Sequence, residues 1–267
     1  MEPRTFETPG TLRVELQIPS GTIRVHGIET TQTTLSISGE RDADDFTVDL
    51  GPSGVGQRLL VQARNRKGFS FRGWDREVRV DLTVPRGSDL DTETGSADLE
   101  TTGELGSIDV RTGSGDVSFQ DATGHVVVKA ASGDVRGGTV SGDLAVHGAS
   151  GDVSVRSVQG SLVCRTASGD IDVDELGGDG QVTGASGDIR IGSAAAGALT
   201  VRTVSGDVAV GVAPNTPVWL DLTSATGDAV SDLGAGDEPE VEAKLEIRAV
   251  AVSGDIRVFR AHARSDA

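Results

Sequence analysis

The chain has 267 residues, is 36% hydrophobic and carries a net charge of −17, so it can build a core without disulfides or a structural metal. That acidity excludes a bulk surface made for nucleic acid or anionic lipid. The single cysteine, Cys164, excludes an internal disulfide and a multi-cysteine zinc site.

No apolar run approaches the roughly 20 residues that cross a bilayer as a helix. The start, Met1-Glu2-Pro3-Arg4-Thr5, lacks the basic and apolar regions of a secretory signal. A cytoplasmic protein is the expectation, reaching a membrane only through a partner. Glycine is abundant at 37 residues, tyrosine is absent, and aromatics make up 3%. With Val, Ile and Thr between the glycines, this composition suits short strands joined by tight turns.

The N-terminal stretch reads as strands over Leu12 to Ile18, Gly21 to Val25, Thr33 to Ile37, Phe46 to Leu50 and Leu59 to Ala63. A further strand, Val78 to Val84, stops at Pro85. Between the last two the charge reverses. Residues 58–79 hold Arg58, Arg64, Arg66, Lys67, Arg72, Arg76 and Arg79 against Asp75 and Glu77, a local net of +5, together with Phe69, Phe71 and Trp74. Two readings stand side by side. The arginines pair with the acidic body while the aromatics cap a core, or Arg64, Arg66, Lys67, Phe69, Phe71, Arg72 and Trp74 form a docking site for an anionic partner.

From Ser96 onward a repeat dominates. Ser-Gly-Asp begins at Ser114, Ser132, Ser150, Ser168 and Ser186, a constant step of 18 residues, and Ser96-Ala97-Asp98 is a degenerate copy one step earlier. Ser141-Gly142-Asp143 marks a half-step, so the unit is nine residues used twice. Each turn is followed by apolar-x-apolar, as in Val153 and Val155, Ile171 and Val173, or Leu162 and Cys164. Period-2 alternation points these inward and Ser154, Asp172 and Arg190 outward. The spacing predicts an all-β parallel β-solenoid, 18 residues per coil, with two strands and two turns in each coil. Right-handed winding follows from crossover chirality.

The expected organisation is a β end region over 1–95, regular coils over 96–210, further coils and a cap over 211–260, and a flexible tail over 261–267. Gly137-Gly138 and Gly177-Gly178-Asp179-Gly180 read as turn glycines, and Asp232 to Glu242 as an acidic loop. The step loosens at Ser205, Thr226-Gly227-Asp228 and Ser253.

The tandem Ser-Gly-Asp-aliphatic-x-Val units resemble a known bacterial family. Val84-Pro85-Arg86-Gly87-Ser88 leads into them and Val252-Ser253-Gly254-Asp255-Ile256-Arg257-Val258 closes the chain. The family is the "putative adhesin" β-strand-repeat family, also called the toast-rack domain. The resemblance implies association with cell-envelope stress systems, and in some members the sensing or binding of envelope-active peptides.

Three functional readings follow. The first is a non-catalytic scaffold or binding module whose partner is a protein, either a membrane-associated stress protein or a second copy docked head to tail. The second is a calcium roll, with Asp116, Asp134, Asp152, Asp170 and Asp188 as ligands. Those rolls use a longer glycine-rich loop with more carbonyl ligands, so a structural role for the aspartates is preferred: capping free turn amides. The third is a carbohydrate-active β-helix enzyme. It lacks aromatic platforms, since Phe119 is the only aromatic between Ala97 and Val210. No cofactor and no catalytic residue is assigned. His26, His125, His147 and His262 are scattered, and Cys164 shares an apolar column with Val128 and Val146.

Overall fold

The computed structural model of the chain describes residues 3–39, 45–52, 56–64, 78–234 and 244–261. Among them are 23 strands and no α-helix. The fold is an all-β parallel solenoid, and the chain divides into two compact units, Met1–Arg136 and Gly137–Ala267.

The N-terminal unit is built around two 17-residue strands, β2 (Leu12–Ile28) and β7 (Asp89–Leu105). They run parallel in unbroken register from Arg13↔Asp89 to Gly27↔Gly103. Each is a full coil in which both strands and the corner between them form one ladder. Ser20-Gly21-Thr22 therefore lies beside Ser96-Ala97-Asp98. On the far side of β2 lie β5 (Gln57–Ala63) and β6 (Val78–Pro85), both parallel to it. Antiparallel strands cover those two: β4 (Phe46–Pro52) pairs with β5, β3 (Gln32–Gly39) with β6, and β1 (Arg4–Glu7) with β3. This mixed layer gives the first coil's open edge partners. Beyond β7 the regular 18-residue step begins, with β8 (Ile108–Thr112) on its first half and β9 (Val117–Ala122) on its second.

In the C-terminal unit the strands alternate between two parallel ladders. One holds β12 (Leu144–Ser150), β14 (Leu162–Ser168), β16 (Gly180–Ser186) and β18 (Gly197–Ser205). The other holds β13 (Val153–Val158), β15 (Ile171–Leu176), β17 (Ile189–Ala194) and β19 (Val208–Val212). Inward residues stack in columns such as Val153↔Ile171↔Ile189 and Val146↔Cys164↔Val182. These side chains are almost fully buried, and that burial is the main source of stability. The step is 19 residues from Ala198 to Val210 and returns to 18 at Val212, where the register against β17 shifts between Ile191 and Ala194.

The last coil in the sequence is not the last in space. β22 (Leu245–Ser253) and β23 (Ile256–Arg260) lie against β18 and β19. On their other side lie β20 (Val218–Ser224) and β21 (Ala229–Ser231), which precede them in the chain. The N-terminal unit does the same in mirror order, with β2 held between β5/β6 and β7.

Of the glycines expected at turns, three lie in strands instead. Gly137-Gly138 lies inside a strand, β11 (Val135–Val140), and Gly180 opens β16, because flanking ladder bonds extend the backbone there. The expected acidic loop is described only to Gly234, and of the expected tail only Ala261 is described.

Candidate functional site

The Ser-Gly-Asp turns form one chemical device. The central glycines Gly133, Gly151, Gly169, Gly187, Gly206 and Gly254 have φ between 115° and 129°, a region L side chains avoid. A Cβ on Gly169 or Gly187 would also overlap the carbonyl oxygen of the glycine one coil before. Glycine is thus required twice over, for φ and for close stacking of the turns.

The aspartates bond from coil to coil. In the N-terminal unit the amide of Asp116 donates to Oδ1 of Asp98 at 3.0 Å, and that of Asp134 to Oδ1 of Asp116 at 2.9 Å. In the C-terminal unit the chain of donors runs Asp170 to Asp152, Asp188 to Asp170, Asp207 to Asp188, Asp255 to Asp207 and Asp228 to Asp255, at 2.8–2.9 Å. The half-step turns use the same bond, from Ser107 to Asp89, Ser161 to Asp143 and Ala198 to Asp179. Each bond holds a carboxylate against an amide that has no strand partner, a charge-assisted contact. Of the five turn aspartates weighed as calcium ligands, Asp116, Asp152, Asp170 and Asp188 use Oδ1 in this way, and Asp134 pairs through Oδ2 with Arg136 at 2.8 Å. Among the described residues no group of three or more His, Cys, Asp or Glu side chains is arranged to hold a metal.

Of the cationic segment, only its edges fall within the described residues. Arg64 donates from Nε to Oγ1 of Thr47 at 3.1 Å, and its amide to the carbonyl of Asp45 at 2.7 Å, so it rests on the β4 side of the end layer. Arg58 pairs with Glu15 at 3.3 Å. Arg79 is exposed on β6. Arg66, Lys67, Phe69, Phe71, Arg72 and Trp74 lie outside the described residues. The described strands on either side of it in the chain, β5 ending at Ala63 and β6 beginning at Val78, both run parallel to β2.

The Val84-Pro85-Arg86-Gly87-Ser88 motif is the gate into the repeats. Ser88 donates to the carbonyl of Pro85 at 2.6 Å and accepts the amide of Leu12 at 3.2 Å. Gly87 takes φ of 77°. Arg86 grips Glu104 with two bonds of 2.8 and 2.7 Å. That grip holds the Glu104 carboxyl below its ordinary range and raises Arg86 further.

A serine and a histidine do meet. Oγ of Ser107 lies 3.2 Å from Nδ1 of His125. The nearby carboxylate, Asp89, accepts from the Ser107 amide, and among the described residues no acid orients the ring as a hydrolase triad requires. His26 binds Oγ1 of Thr102 at 2.7 Å, and His262 lies outside the described residues. Cys164 is fully buried, and burial pushes its thiol up to about 12, which keeps it a protonated packing residue.

These features define a repeat-built β-solenoid whose turns are held by stacked aspartates. The chain belongs to the Toastrack DUF4097 family, whose model matches residues 12–259. Among curated proteins no match is found. Solved structures are similar at low identity. A "putative adhesin" from Parabacteroides distasonis is 12% identical with a TM-score of 0.49, covering 96% of both chains. A "putative lipid binding protein" from the same organism is 15% identical with a TM-score of 0.48, again over 96% of both chains. A "putative adhesin" from Bacteroides fragilis is 13% identical with a TM-score of 0.42, over 96% of both chains. Among the described residues no helix is long and apolar enough to cross a membrane.

Proposed function

We propose that this chain is a non-catalytic β-solenoid binding module that engages an anionic protein partner through the segment between β5 and β6. The observation that carries this reading is the charge contrast: a local net of +5 over residues 58–79 in a chain of net −17. The strands that flank the segment in the chain, β5 and β6, are both paired to β2. The family resemblance supplies the setting, cell-envelope stress, with a membrane-associated stress protein as the partner. The absence of catalysis is supported by Asp89 binding the Ser107 amide and by the burial of Cys164.

The test compares the wild-type chain with a variant carrying Arg64→Ser, Arg66→Ser, Lys67→Ser and Arg72→Ser. Both are used to recover partners from native lysate at low and high salt. One protein is expected to be recovered by wild type at low salt, lost at high salt and lost in the variant, with unchanged thermal melting of the chain. A partner retained by the variant and at high salt would overturn the reading.

A further inference from the structure

The two ladders of the C-terminal unit end on one coil. Among the described residues β20 pairs only with β22, and β21 only with β23. The side chains of that coil break the pattern of the others. Leu220 and Leu222 continue the inward columns Leu199↔Ile247 and Val201↔Ala249. They are half-buried, where those four side chains are almost fully buried. In the facing ladder Ala229 and Ser231 continue the columns Val208↔Ile256 and Val210↔Val258, and both are exposed. The aspartate ladder ends there too. Asp228 donates its amide to Asp255 at 2.9 Å, but among the described residues no amide donates to the Asp228 carboxylate. Asp170, Asp188, Asp207 and Asp255 each receive one.

The outer edges of the N-terminal unit, by contrast, are guarded. β1 is four residues long, carries Arg4 and Glu7, and lies between Pro3 and Pro9. β4 closes on Gly51-Pro52 and shows Asp49 to solvent. Short length, charge and proline are the devices that keep an edge from pairing with another chain. β20 has seven residues with no Pro, Gly or Lys among them. Its one charge, Asp221, is held by Arg248 at 2.8 Å. Two residues earlier on the same face, Trp219 is 49% exposed.

We infer that the β20/β21 edge is the interface of a two-fold dimer of this chain, formed end coil to end coil. A sheet edge offers unpaired backbone N–H and C=O groups, so its occupant is an extended strand. Here two edges lie on facing sheets and share one interior. A lone extended peptide covers β20 or β21 and leaves the other open. The occupant is therefore a pair of strands at the same sheet separation, with aliphatic side chains facing in. Among the described edges, the unguarded pair that meets this description is the same edge of a second copy. A two-fold axis normal to the sheets sets β20 antiparallel to β20 of the second copy, and β21 antiparallel to its counterpart. Side chains keep their faces under that rotation, so Leu220 and Leu222 of both copies close one shared core. The edge thus complements itself, which an isologous interface requires. An interface of one coil is small, so the dimer should dissociate in the micromolar range. Two chains of net −17 repel each other, so added salt should strengthen it. The inference does not depend on the segment between β5 and β6.

The test uses the full chain. Sedimentation velocity over about 5–200 µM should show a monomer–dimer equilibrium that tightens as salt rises. Amide exchange at the two ends of that range should show protection of β20 and β21 rising with concentration, with β1 and β4 unchanged. Thr223→Lys with Val230→Lys puts one charge on each edge strand at an exposed position. It should weaken the dimer at least about tenfold and leave the melting of the monomer nearly unchanged. Val204→Lys with Val252→Lys adds the same charge at exposed positions on strands β18 and β22, each paired on both sides, and should dimerise like wild type. So should the four-serine variant of the cationic segment, which keeps this outcome separate from the binding reading. A chain monomeric throughout would overturn the proposal, as would a dimer whose β20 and β21 gain no protection. Full protection of both strands in the monomer would place another segment of the same chain on the edge, and would overturn it equally.

Discussion

The amide of Asp188 lies 2.8 Å from Oδ1 of Asp170, one coil away, and donates to it. The same bond recurs at each neighbouring Ser-Gly-Asp turn in the unit, so the aspartate caps the next coil rather than its own turn. Asp170→Ala should lower stability by about 1 kcal/mol, the net worth of one lost hydrogen bond. Asp170→Asn, which keeps an acceptor oxygen, should cost less than half of that. Urea denaturation of the two variants checks the ordering, and equal losses would refute the capping role.

The turn glycines offer a sharper contrast. Gly187 has φ of 116°, and a Cβ there would meet the Gly169 carbonyl. Gly148 has a φ outside the left-handed region, and a Cβ there would find only Oγ1 of Thr166, at 3.9 Å. Gly187→Ala should destabilise by about 3 kcal/mol or more, and Gly148→Ala should stay within about 0.5 kcal/mol of wild type. Thermal melting of the pair reads the difference directly.

Cys164 gives a pH signature. Its ordinary value of 9.0 is raised to about 12 in the folded chain because burial disfavours the thiolate. Between those values the unfolded chain loses this proton and the folded chain keeps it, so stability falls as pH rises. The slope approaches about 1.4 kcal/mol per pH unit above the unfolded value. Cys164→Ala should remove that component, visible as a smaller loss of stability from pH 8 to pH 10 than in wild type. In the native state the thiol should resist alkylation at pH 8 and react once the chain is unfolded.

The last coil should be indispensable to its unit. β20 and β21 pair with β22 and β23, and these pair in turn with β18 and β19. A chain ending before Lys244 loses the middle layer and exposes the columns containing Val201 and Val210, both now fully buried. Amide exchange should become fast across β20 and β21 and faster in β18 and β19, with exchange in the N-terminal unit unchanged. Retained protection in β20 would show that those strands stand without their partners.

Much of the solenoid was legible because its hydrogen bonds recur at a fixed chain distance. The 18-residue step predicted the columns Val153↔Ile171↔Ile189 and Val146↔Cys164, and the ladder holds them in that register. The outward place of His147 followed from the same step, beside Arg165. The aspartates were expected to cap turn amides, and they do, but the amide belongs to the next coil. A local turn motif says nothing about what stands above it. Strand β1 was missed because four residues carry too little periodicity to register.

The sequence by itself determined the all-β class, the coil length, the inward and outward faces and the need for glycine at the turns. Those depend on local geometry repeated at a constant step. Only the tertiary structure decided the order of the coils. β2 meets β7 across 76 residues, Asp255 binds Asp207 across 48, and Asp228 binds Asp255 across 27, against the direction of the chain. A parallel ladder bonds equally well whatever the chain distance between its strands, and the cost of closing the intervening loop rises only slowly with length. The terminal coils therefore settle wherever their edges and apolar columns are best covered, and no repeat in the sequence records that choice.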